Sequence, residues 1–186
     1  IKRAEDWPNT TSLQWVWGDK IKVYAISERK ENNKIGFFEE EQLNLLAKTS
    51  PRISKISGLY YLPSLKPLIE DEGTTTRFHE EVVSLLGPKW GNDSDEIIRS
   101  LTKLMRSRPN PRCYLASQQL GGVTGNISRT MTSFVHREAI WKPWITASWP
   151  AGDKQARERA MVWLMNAWKV LEPNCPGIHL AQMHPH

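Results

Sequence analysis

The stretch from Gly121 to Trp149 constrains this chain more than any other. It opens on Gly121-Gly122, passes through a polar run to Phe134-Val135-His136-Arg137, and closes on the aromatic segment Ala139 to Trp149, just ahead of a strongly amphipathic helix. Aromatic and β-branched residues in that last segment favour a strand. Period-two alternation then puts Trp141, Pro143, Ile145, Ala147 and Trp149 on one face and Lys142, Trp144, Thr146 and Ser148 on the other. The first set is apolar and suits packing under helices. The second carries a cation, an indole and two hydroxyls, which suits either a wall facing a ligand or an outer face turned to water. A half-buried Lys142 can serve as base, electrophile or anion clamp, the first only when its ammonium has lost a proton.

The rest of the chain supplies partners for that strand. Lys20 to Ser27 alternates polar and apolar residues and predicts a half-buried strand. Phe37 to Lys48 predicts a helix, with Glu39, Glu40 and Glu41 placed to complement its N-terminal dipole. Pro51, Pro63 and Pro67 then break the pattern. Ser94 is the expected N-cap of a second helix carrying Ile97, Ile98, Leu101, Leu104 and Met105 at helical spacing, stopped by Pro109-Asn110-Pro111. Arg112 to Gln118 is a candidate strand leading into the Gly121-Gly122 turn. A third helix runs from about Asp153 to Leu171, with Ala156, Ala160, Met161, Leu164, Trp168 and Leu171 as its expected buried stripe. Residues 1–12 read as loop. At 186 residues this is one domain of the α+β class, an antiparallel sheet with helices on one face.

Several kinds of chemistry are disfavoured. The net charge of +5 is spread among acidic residues, as at Glu28-Arg29-Lys30-Glu31, which describes a solvated surface rather than a nucleic-acid stripe. No apolar run approaches the ~20 residues of a membrane span. Gly121-Gly122-Val123-Thr124-Gly125 lacks the Lys-Ser/Thr end of a phosphate loop and reads as a sharp turn. His179, His184 and His186 have no acidic or cysteine ligand at close spacing, so no metal site is expected. His136 reads as a structural corner. Cys113 and Cys175 either pair or stay free. Three glycosylation sequons, at Asn9, Asn92 and Asn126, favour a secreted protein. Ile1 in place of Met implies a processed N-terminus or a piece of something longer.

Leu120-Gly121-Gly122, Asn126-Ile127-Ser128, Phe134-Val135-His136-Arg137 and Trp141 to Trp149, in that order and spacing, resemble the berberine bridge enzyme-like group of FAD-linked oxidases, within the vanillyl-alcohol oxidase class. The family carries Phe-Pro-His-Arg at the corner, where this chain has Val135. The match is specific over residues 112–173, extends from about Arg77, and is only general over residues 1–76. The resemblance implies the substrate domain of a FAD-dependent oxidoreductase acting on an alcohol, sugar or amine-type substrate by hydride transfer to flavin. The FAD-binding domain of the same protein, outside this chain, would hold most of the cofactor and would be this domain's main partner. A family strand carboxylate that serves as catalytic base matches Lys142, and the family's Tyr-x-Asn pattern falls at His179-Leu180-Ala181 without either functional residue. On this basis Lys142 is the candidate catalytic residue, Gln118, Trp144 and Thr146 candidate substrate contacts, and Gln182 and His184 candidate cofactor contacts. The alternative is a catalytically altered or non-catalytic ligand-binding domain of the same fold.

Overall fold

Alternating apolar residues on five long strands need a partner layer, and the amphipathic helices supply it. The computed structural model describes residues 1–27, 37–48 and 77–180. Their elements, in chain order, are β1 (Thr11–Trp17), β2 (Ile21–Ser27), α1 (Phe37–Lys48), β3 (Phe78–Leu86), α2 (Ser94–Arg106), β4 (Tyr114–Gln119), β5 (Trp141–Pro150), α3 (Lys154–Leu171) and β6 (Gly177–Ile178). The strands form one sheet of order β2-β1-β4-β5-β3-β6, with every neighbouring pair antiparallel. This is the expected α+β class, with β5 as a central strand between β4 and β3.

One sheet face is the core. Leu13, Trp15, Leu85, Leu115, Trp141, Ile145 and Ala147 from the strands bury against Ile97 and Leu101 of α2 and Trp163, Leu164 and Leu171 of α3. Each of the larger of these side chains contributes about 2 kcal/mol when removed from water. The Trp163 indole also donates to the Leu104 carbonyl at 2.9 Å, which ties α3 to α2. Asp153 caps α3 by accepting from the Ala156 amide at 2.9 Å, and the helix runs as its spacing predicts. Its stripe differs in detail. Met161 and Trp168 are only half-buried, while Trp163 and Ala167 are buried in their place, because the contact with α2 rotates the apolar edge toward that neighbour.

Two other expectations are corrected. Ser94 is not a cap: it is the first helical residue, and its hydroxyl donates back to the Gly91 carbonyl at 2.7 Å across a preceding 3-10 turn. Residues 1–12 are more than loop. Buried Glu5 accepts from the Trp90 amide at 2.6 Å, the Gly91 amide at 3.0 Å and the Trp141 indole at 2.7 Å, and β1 begins at Thr11. The cysteines are free. Cys113 contacts Ser148, whereas Cys175 sits beside Gly87, which bridges to Trp141. Those two positions lie at opposite ends of β5, roughly 20 Å apart at about 3.4 Å per residue, far beyond disulfide reach.

Candidate functional site

The sheet face turned away from the helices is built by the alternate residues of the same strands. Cross-strand pairing aligns Gln14, Gln118 and Lys142 in one row. The register that pairs Ser84 with Trp144 and Gly87 with Trp141 sets Leu86 beside Lys142, and Leu86 in turn pairs with Gly177. The adjacent row runs Val16, Ala116, Trp144 and Ser84, and the His179 amide donates to the Ser84 carbonyl at 3.0 Å at its end. The face is not simply turned to water. Lys142 and Trp144 are half-buried, and Ser84, Ala116, Thr146 and Ser148 are fully buried.

Two histidines close one side of the Lys142 row. Gly177 has no side chain because His136 occupies that space: a Cβ there would lie 2.8 Å from Cε1 and Nδ1 of the imidazole and 3.0 Å from Leu86 Cβ. His136 is therefore packed over β3 and β6 on the same face as Lys142, more than a bare corner. The Gly121-Gly122 turn that sends the chain toward it uses positive φ at both glycines, 106° and 61°, as a sharp turn requires. His179 keeps a buried Nδ1 with no hydrogen-bond partner among the described residues. Burial, and then the Lys142 charge, hold its imidazole below the usual histidine range.

Lys142 itself stands over the Trp144 ring, its Nζ 5.8 Å from the centroid, within cation–π range. Burial lowers its ammonium below the ordinary lysine value. Ion pairs join Lys89 to Asp6, Arg108 to Asp19 and Arg129 to Glu138, and Lys142 is in none of them. The carboxylate that the described strands place on this face is Glu80, opposite Ser148. It lies roughly 20 Å along β5 from Lys142 at about 3.4 Å per residue. Tyr114 lies nearer that end, opposite Thr146. Burial pushes its phenol up, against the Thr146 and Trp144 side chains, which favour the ionised form. The Thr146 hydroxyl nevertheless completes no hydrogen bond of good geometry.

The structure thus brings three of the expected site residues together: exposed Gln118 with half-buried Lys142 and Trp144. Thr146 shares their face but is wholly buried, so it lies behind the wall rather than on its surface. Gln182 and His184 lie outside the described residues. His136 and His179 are additions that the chain's local pattern does not reveal, since only the pairing of β3 with β6 places both beside Lys142. Among the described residues no cluster of histidine, cysteine and carboxylate ligands could hold a metal, and no helix is long and apolar enough to cross a membrane.

No family model matches the sequence, and no curated protein matches it. Solved structures do share the fold. BBE-like 1 from Physcomitrella patens aligns with a TM-score of 0.65 at 15% identity over 94% of this chain and 39% of its own. CrmK, a flavoenzyme involved in the shunt product recycling mechanism in caerulomycin biosynthesis, aligns at 0.64 and 14% identity over 98% of this chain and 40% of its own. BBE-like 28 from Arabidopsis thaliana aligns at 0.62 and 12% identity over 97% and 41%. The chain spans about two fifths of the length of these neighbours, which are berberine bridge enzyme-like flavoproteins and a related flavoenzyme.

Proposed function

We propose that this chain is the substrate-binding part of a FAD-dependent oxidoreductase, acting on an alcohol, sugar or amine-type substrate. The observation that carries the reading is that nearly the whole chain takes up a fold known from part of flavoenzymes. The face opposite the helices is the natural ligand wall, because the other face is filled by the core. FAD, when bound, supplies hydride acceptance; the protein's part is to orient the substrate and set the local charge.

The residues present fit one side of such a cofactor site. Trp144 offers a flat apolar surface beside Lys142, and the orphaned Nδ1 of His179 offers an unused polar atom nearby. Among the described residues no segment fits the phosphates. The glycines at 121 and 122 lead into a five-residue 3-10 turn, Gly122–Asn126, instead of an α-helix N-terminus. A second domain of the same protein would hold that part of the cofactor. In this reading Lys142 is the catalytic residue of the chain, acting as a fixed positive charge beside the reacting atoms, with Gln118 and Trp144 positioning the substrate. A lysine serves as base only once deprotonated, and burial moves Lys142 in that direction.

The protein purified with its native flanking sequence should be yellow and carry one FAD per chain. A colourless, correctly folded protein would sink the oxidase reading. It would favour instead a non-catalytic binding domain of the same fold, for which a lysine at the position of a family carboxylate is the supporting observation.

A further inference from the structure

The Lys142 row has a chemical bias that the oxidase reading does not require. A half-buried ammonium is costly unless something negative or strongly polar meets it. Around Lys142 the described side chains offer a ring face, an amide, an aliphatic edge and an imidazole, none of them negative: Trp144, Gln118, Leu86 and His179. Glu80 is at the other end of the strand. Beside the row, His179 Nδ1 is buried without a hydrogen-bond partner among the described residues. Trp144 is half-buried and flanked across the sheet by the small residues Ala116 and Ser84. Leu86 and the packed His136 ring close the far side of Lys142 with a mostly apolar edge.

From this juxtaposition we infer that the ligand of this face is an aromatic carboxylic acid. Its carboxylate is held by the Lys142 ammonium and the Gln118 amide, and its ring lies along Trp144. The inference rests on the proposed assignment of this face as the ligand wall and narrows it from a general small molecule to an anion on a flat apolar body. A carboxylate matches the donors present, because two oxygens in a plane can meet one ammonium and one amide side by side. A ring fits the indole through offset stacking.

The probe is benzoate, titrated calorimetrically into the full chain, with benzyl alcohol as its neutral counterpart and inorganic phosphate as the non-planar anion. Benzoate should bind at least about tenfold more tightly than benzyl alcohol, a difference of about 1.4 kcal/mol. Lys142→Met should erase that preference and Lys142→Arg should keep most of it. Lys103→Met, on the exposed side of α2, should leave it unchanged. Equal affinity for benzoate and benzyl alcohol, or a preference that survives Lys142→Met, would overturn the inference. Phosphate binding as tightly as benzoate would overturn it too, in favour of a phosphate group. The measurement needs no flavin, so a colourless protein that binds benzoate through Lys142 would remove the oxidase reading and leave this one standing.

Discussion

Glu5 shows how much a single side chain can decide. Its carboxylate takes three N–H groups, from Trp90, Gly91 and the Trp141 indole, and so pins the N-terminal segment to the start of β5, one residue before Lys142. Glu5→Ala strands three donors in a buried setting and should cost about 3 kcal/mol in denaturant unfolding. Glu5→Gln keeps one acceptor oxygen and should lose clearly less. Cys175 makes a different prediction. Burial pushes its thiol up to about 11, whereas in the unfolded chain it ionises near its ordinary value of about 8.5. Between those values the folded chain holds more protons than the unfolded one. The contribution is therefore fully present below the unfolded pKa and is lost as pH rises through the folded one. Stability should fall by about 2 kcal/mol by roughly pH 10, and Cys175→Ala should lack that alkaline decline. None of this was visible along the chain. Glu5 stands in a polar segment with Pro8 and Asn9 behind it, and its partners lie far away in sequence.

Elements were the most legible level, because their signals are periodic. The strict alternation of β5 assigns Trp141 and Ile145 to the helix side and Lys142 and Trp144 to the other, and the structure keeps that division. α3 was readable for the same reason, with Asp153 at its start. Asp153→Ala should destabilise the protein by about 1 kcal/mol, read as a shift in the chemical-denaturation midpoint, since the Ala156 amide loses its acceptor. The fine rotation of α3 was not readable: whether Trp163 or Trp168 is buried depends on where α2 sits. β1 escaped for another reason. Thr11, Leu13, Trp15 and Trp17 do alternate, but the breakers just before them dominate the local pattern.

On the scale of the whole molecule, antiparallel pairing of distant strands turns one promising strand into a site. β6 is two residues long, yet its pairing with β3 brings His136 and His179 to the Lys142 face from segments more than forty residues apart. Sequence spacing could nominate Lys142, Trp144 and Gln118, which share neighbouring positions on β5 and β4. It could not nominate the histidines, which depend on a register that only the folded sheet sets. In the proposed oxidase this face, and not the helical one, meets the flavin. The most direct test is the reduction potential of the flavin bound to the protein with its native flanking sequence. Removing a nearby positive charge disfavours the more negative reduced form. Lys142→Met should therefore lower the potential, while Lys103→Met on the helical side should leave it unchanged. A potential unmoved by Lys142→Met, or moved equally by Lys103→Met, would show that the flavin does not lie on the Lys142 face.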